Sequence, residues 1–210
     1  NDAFVPITGK PLTPEEIRAL LPDLIRRHGI TSILDAPCGD FSWMKLVDLS
    51  GCHYTGADVV LPLIESNNQQ YRSEARQFLC ADLRRDPLPR ADLILCRDCL
   101  IHLSFRDAFD VIANFRASGA KYLLVTTNPR EDENIPIKTG GFRGVNLEIW
   151  PFNFPKPLEL HRDRYRAEPG VVGRLKKCDG SWCQIQNGKR QGWIAEGDIW
   201  GVTDGETFDD

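Results

Sequence analysis

Three aspartates fall where apolar, strand-like runs give way to turns. Asp35 lies in Ile33-Leu34-Asp35-Ala36-Pro37-Cys38-Gly39-Asp40-Phe41, Asp58 follows Tyr54-Thr55-Gly56-Ala57, and Asp82 follows Phe78-Leu79-Cys80-Ala81. In an α/β protein the carboxyl ends of the strands are where nucleotide-like ligands dock. Carboxylates only accept hydrogen bonds when ionised, and they attract cations. Three of them on one rim suit a ligand with hydroxyls, amino groups and a positive charge, and they repel phosphate. Gly39 lets backbone and ligand approach closely. Past a fourth apolar run stand Arg97, Asp98 and His102, side chains able to hold an acid or to move a proton.

The elements that must position these groups follow from local pattern. Thr13-Pro14-Glu15-Glu16 reads as an N-cap, a first-turn proline and a capping box. Ile17, Leu20, Leu21, Leu24 and Ile25 then recur at helical spacing up to His28-Gly29. Short apolar runs predict strands over 32–36, 53–59, 77–81, 92–96 and 122–126. Between them the sequence predicts helices over 43–49, 61–71 and 105–118, the last with Phe109, Ile112 and Phe115 inward, and a polar connection over 83–90. Regular alternation of this kind belongs to an α/β fold, a Rossmann-like parallel sheet with helices on both faces. Residues 129–144 read as a long polar loop, and loops of that size inside a domain are often lids.

From about residue 165 the pattern changes to short strand-like pieces between Pro169-Gly170, Asp179-Gly180, Asn187-Gly188 and Gln191-Gly192. This is the grammar of a small all-β barrel or sheet. The expected division is 1–162 and 163–205, with a frayed acidic end over 203–210. Net charge is −4, with 27% charged residues. That balance argues against a nucleic-acid partner, which needs a basic face. No apolar run reaches membrane-spanning length. No leader is legible, although the chain opens on Asn1, so a trimmed one stays open. Among seven cysteines, Cys38, Cys80, Cys96 and Cys99 read as buried free thiols, and no spacing resembles a zinc site. Cys178 and Cys183 flank a turn and either pair or simply pack.

A dinucleotide site wants several glycines where the pyrophosphate meets a helix N-terminus. This turn has one, beside Asp40 and Phe41, and no P-loop lysine is present. S-adenosylmethionine (SAM) carries no phosphate and a cationic sulfonium, so acidic residues suit it. Asp58 would accept from the two ribose hydroxyls. Asp82 would accept from the adenine amino group, with Leu83 against the ring, and Asp35 would orient the methionine amino group. Each carboxylate taken singly is equally at home as an N-cap or loop charge; three in register are harder to explain so.

The motif Leu34-Asp35-Ala36-Pro37-Cys38-Gly39-Asp40-Phe41-Ser42-Trp43-Met44 resembles the first motif of a bacterial group of class I SAM-dependent methyltransferases. Asp92-Leu93-Ile94-Leu95-Cys96-Arg97-Asp98-Cys99-Leu100, Ile101-His102-Leu103 and Pro151-Phe152-Asn153-Phe154-Pro155 extend the likeness. It spans residues 31 to about 160 and departs from the family in two places. Pro37 and Phe41 stand where glycines are usual, and no antiparallel seventh strand is legible after a sixth that would begin near 157–161. The segment from Arg166 onward resembles a bacterial SH3-like domain.

The resemblance implies SAM as cofactor and a cradle of Asp35, Ala36, Gly39, Asp58, Val59, Asp82, Leu83 and Arg97, with Arg97, Asp98 and His102 beside the transferred methyl group. Each has a plainer alternative. Asp98 and Arg97 could form an internal ion pair, and His102 could be a packed structural residue. Lys138, Arg143 and Asn146 could touch substrate or be solvated. Trp43 could face the sulfonium or the core, and Trp182, Trp193 and Trp200 could line a peptide or glycan groove or fill a small barrel. The expected protein is a cytoplasmic SAM-dependent methyltransferase acting on a small-molecule or sugar-like hydroxyl or amine. The alternative is a non-catalytic binding protein with a degenerate adenosyl-ligand fold and an SH3-like partner- or glycan-binding tail.

Overall fold

Strand β2 (Ser32–Asp35) is buried over its last three residues and β5 (Leu93–Cys96) over all four. Unbroken apolar runs of this kind form central strands covered on both faces. The computed structural model describes residues 3–8, 14–162, 174–178, 182–187 and 190–195, with side chains over 16–161. Around β2 and β5 it sets β1 (Ala3–Thr8), α1 (Pro14–His28), β3 (His53–Asp58), α2 (Leu61–Tyr71), β4 (Arg76–Cys80), α3 (Phe105–Ala117), β6 (Tyr122–Thr127) and β7 (His161–Arg162). The sheet order is β4-β3-β2-β5-β6-β1-β7, and every pairing in it is parallel. From β2 the chain steps outward to β3 and β4. It then crosses back to the other side of β2 for β5 and β6. That reversal, typical of a Rossmann-like sheet, opens a crevice at the carboxyl ends of β2 and β5.

Two apolar layers hold the sheet. One gathers Ile17, Leu21 and Leu24 of α1 with Phe41, Met44, Tyr54, Ile64 and Phe78. The other gathers Ala108, Val111 and Phe115 of α3 with Leu83, Val145, Leu147 and Phe152. Each fully buried side chain of this size contributes about 1.5–3 kcal/mol.

Several expectations are corrected. Residues 43–49 hold only a 3₁₀ turn at Met44–Leu46. Trp43 offers no side-chain cap, and Asp48 accepts from both Ser50 N (3.0 Å) and Ser50 Oγ (2.6 Å), a local turn that ends any helix. Phe109 is 40% exposed, its ring turned to Phe152 rather than inward. Cys80 is exposed, while Cys38 and Cys96 are buried and Cys99 is half-buried. The place beside β6 is taken by β1, in parallel, and β7 pairs with β1 over Ile7–Thr8 alone. Pro6 interrupts the apolar run of β1 in sequence. It pairs with Val125 of β6 and lies outside the short pairing with β7. The Thr13 cap lies outside the described residues.

The chain divides into a first unit, Asn1–Arg164, and a second, Tyr165–Asp210. In the second, β8 (Arg174–Cys178), β9 (Trp182–Asn187) and β10 (Arg190–Ala195) form an antiparallel sheet in the order β10-β9-β8. Cys178 stands directly opposite Cys183. Trp182 and Trp193 lie on β9 and β10; Trp200 and the 203–210 tail lie outside the described residues.

Candidate functional site

The turn after β2 is bonded to both neighbouring strands. Ala36 N donates to Leu95 O at 2.9 Å and Cys38 N donates to Ala57 O at 2.9 Å. Gly39 has φ +58°, and nothing lies within 4 Å of where a Cβ would stand, so its outer face is open. Its N–H donates to Asp58 Oδ2 (3.1 Å), and its carbonyl accepts from Asn67 Nδ2 (2.8 Å). Phe41, with φ 61°, turns away from this rim into the core, fully buried against Tyr54, Tyr71 and Phe78. The bulky residue at a usual glycine position therefore does not occupy the strand-end crevice.

Asp58 accepts from Gly39 N through one oxygen and from Val60 N (3.0 Å) through the other. Each oxygen keeps acceptor capacity. Beside it Val59, Val60 and Leu61 form an apolar lip, 65%, 48% and 52% exposed. Asp35 is buried and accepts from the Tyr54 hydroxyl at 2.7 Å. Burial pushes its carboxyl up to about 7, against the Tyr54 hydrogen bond and the charge of Arg97, with Asp58 adding to the rise.

Asp82 stands differently from expectation. Both its oxygens are held by Arg84 (2.9 and 2.8 Å), and Arg85 Nε adds a third contact at 3.0 Å. These arginine hydrogen bonds, Arg84 foremost, hold its carboxyl down at about 2. Its acceptor capacity is thus largely spent within the protein. Leu83 is buried in the layer under α3.

After β5, Asp98 has φ 52°, uncommon for a residue with a side chain. Thr126 of β6 fixes it: Asp98 N donates to Thr126 Oγ1 (3.0 Å), which donates to Asp98 Oδ1 (3.3 Å). Arg97 Nη2 lies 3.5 Å from Asp98 Oδ2, and the Arg97 guanidinium sits 5.5 Å over the Trp43 ring. His102 Nδ1 donates to Gly141 O at 2.9 Å. A carbonyl only accepts, so that nitrogen carries the proton and Nε2 is the acceptor of the neutral ring.

The segment after β6 has no helix or strand between Asn128 and Leu160, as expected of a loop, but it is not loosely held. Asn134 Nδ2 donates to Asn146 O and Trp150 O, both 2.8 Å, and Asn134 Oδ1 accepts from Asn146 N at 2.8 Å. Asn146 Nδ2 donates to Glu131 O at 2.9 Å. Arg143 is 2% and Asn146 5% exposed, so neither is solvated; Lys138 is exposed.

The structure thus gathers Asp35, Ala36, Gly39, Asp58 and Val59 around the turn after β2, and Arg97, Asp98 and His102 after β5. Sequence reading gave no role to Tyr54, Asn67 or Thr126. Asn67 had a signal: it follows Ile64 by three, so an amide occupies the inward stripe of α2. Tyr54 and Thr126 had none, because their partners are distant in sequence.

Residues 157–201 match the family described as Bacterial SH3 domain. No curated protein sequence matches the chain. Among solved structures it is similar to human N-acetylserotonin methyltransferase in complex with SAM, at 16% identity over 63% of this chain and 45% of that one, TM-score 0.47. It is similar to magnesium protoporphyrin IX methyltransferase from Synechocystis PCC 6803 with bound SAH (S-adenosylhomocysteine), at 18% identity over 53% and 54%, TM-score 0.43. An N-methyltransferase from Bradyrhizobium japonicum in complex with SAH gives 17% over 52% and 58%, TM-score 0.43. The chain therefore spans about half the length of these proteins. Among the described residues no helix is long and apolar enough to cross a membrane.

Proposed function

We propose that the first unit is a SAM-dependent methyltransferase domain acting on a hydroxyl or amine of a small molecule. One observation carries the reading: Asp58 is pinned by two backbone amides at the rim of the switch-point crevice, beside the open face of Gly39 and the apolar lip of Val59 to Leu61. That arrangement fits a ribose and an adenine, and the buried acid Asp35 fits an amino group or a cation.

SAM supplies a methyl group already activated by its sulfonium. The protein's task is then to hold the acceptor in line and exclude water. In this reading Asp58 accepts from the ribose hydroxyls and Val59 packs beside the adenine. Asp35, Ala36 and Gly39 face the methionine part, and Arg97 closes the crevice from β5. Asp98, held by Thr126, orients the acceptor, and the Nε2 lone pair of His102 takes its proton. Leu83 shapes the adenine side from within; Asp82 contributes charge through its arginine pairs. A SAM enzyme works where the donor is made, in the cytoplasm. The SH3-like second unit would bind a peptide or glycan.

Isothermal titration with SAM, SAH and NAD tests the reading. The expected result is micromolar affinity for the first two, none for NAD, and a loss of at least about 30-fold in Asp58→Ala, the scale of charge-assisted hydrogen bonds. NAD binding in place of SAM, or unchanged affinity in the variant, removes the assignment.

A further inference from the structure

Arg143 is buried, and no carboxylate among the described residues pairs with it. Its Nη1 donates to Ile135 O at 3.0 Å, and its guanidinium lies 4.3 Å from the Phe105 ring centroid. Nε and Nη2 are buried without a hydrogen-bond partner among the described residues. Burial pushes the group down from its ordinary value, but a guanidinium stays charged in proteins. A buried cation with two unpaired donors is costly, and folds rarely keep one without use. The surface over it is unusual as well. Ile135, whose carbonyl holds Nη1, is 52% exposed; Trp150, whose ring meets Phe105 at 6.2 Å, is 69% exposed; Phe142, next in the chain, is 66% exposed. Exposed apolar side chains thus belong to residues linked to this cation through a carbonyl, through Phe105 and through the chain.

We propose that Arg143 anchors a binding site for an organic oxyanion with a flat apolar body, the acid group meeting Nε and Nη2 and the body lying on Ile135 and Trp150. Both nitrogens sit beneath the surface, so binding of the acid group requires a local shift of the side chains above them. Backbone bonds tie this site to the acceptor side of the crevice: Arg143 N donates to Ile101 O (3.0 Å), and Gly140 N to His102 O (2.8 Å). That the occupant is the methyl acceptor, hence an acidic one, rests on the methyltransferase reading; the site itself does not.

Thermal unfolding of the full chain at constant ionic strength tests the site with benzoate, phenylphosphonate and benzamide. At about ten times its dissociation constant, a bound anion raises the midpoint by about 3–6 °C. Benzoate or phenylphosphonate, whichever acid fits, gives that shift and the neutral amide does not; the stronger of the two identifies carboxylate or phosphorus oxyanion. Arg143→Met folds at least as stably as the parent and loses the response. Equal shifts from benzoate and benzamide, or no shift from either acid, overturn the proposal. SAH titration is run separately, so failure of the cofactor site and of the anion site are told apart.

Discussion

Two irregular rims crown the sheet of the first unit, and they solve burial in opposite ways. The rim after β2 and β3 buries acids. Asp35 meets a tyrosine hydroxyl and Asp58 meets two backbone amides. The segment after β6 buries a base, Arg143, against an aromatic ring and one carbonyl. Among the described residues none of these three buried groups is closed off by a tight ion pair, in contrast to Asp82 with Arg84 at the edge. Charges that are paired have little left for a ligand. The difference teaches where to look: on the two proposals, one rim takes a cation with hydroxyls and the other an anion.

The largest expected effect tests the acidic rim. Asp35 has an ordinary value near 3.8 when unfolded and about 7 when folded. Between those pH values the folded protein holds a proton that the unfolded chain releases. Its stability therefore falls as pH rises through this window and levels off above it. At 1.36 kcal/mol per pH unit the ceiling is about 4 kcal/mol. Asp35→Asn cannot ionise, so it should gain on the parent by up to that amount between about pH 4 and pH 8. Urea unfolding of both proteins across that range measures it, and parallel curves would mean that Asp35 is ordinary. SAM affinity in the parent should also rise with pH up to about 7, since a cation favours the ionised acid.

The basic rim depends on amides rather than on charge. Asn134→Ala removes the acceptor for Asn146 N and the donor to two carbonyls. Leaving such buried groups unpaired costs about 1–3 kcal/mol each, and partial relaxation leaves about 2–3 in total. Hydrogen exchange should quicken over 128–154, with β2 to β5 unchanged. Exchange that quickens everywhere would make the two rims one cooperative unit. The matching change on the acidic rim is Gly56→Ala. Its Cβ would stand 2.7 Å from Phe78 Cδ1 and 2.9 Å from Cys38 Sγ, an overpacking cost of about 1–3 kcal/mol. Its exchange should quicken around 36–42 instead.

Legibility in the sequence divided along the same line. The buried strands β2 and β5 are continuous apolar runs, so their ends, and with them Asp35, Asp98 and the switch point, could be placed from spacing. Asp58 could be placed because it closes the strand-like run His53–Asp58 ahead of the helix that begins at Leu61. The 128–160 segment has no periodicity to read. Asn134 and Asn146 look like loop residues until Asn134 finds the backbone of Asn146 and Asn146 that of Glu131, and Arg143 looks like surface until Phe105 arrives beneath it. Strand β1 was hidden by Pro6, which reads as a break unless its pairing with β6 is known. The 43–49 stretch reads as a helix because Trp43, Leu46 and Val47 recur at helical spacing, whereas Asp48 ends the turn at Met44–Leu46.

The smallest expected effect sharpens the contrast within the acidic rim itself. Asp82 and Asp58 both stand at strand ends, yet Asp82 is bound by Arg84 and Arg85 while Asp58, among the described residues, is bound by backbone amides. An edge pair of this kind is worth about 0–1 kcal/mol, because solvent already screens it. Asp82→Asn keeps the shape and removes the charge. If its carboxylate is committed to the arginines, SAH affinity should change by less than about threefold, against about 30-fold for Asp58→Ala, as measured in one titration series. A loss in Asp82→Asn as large as that in Asp58→Ala would mean that the arginines release the carboxylate when adenine arrives, and the rim would then extend across three strands instead of two.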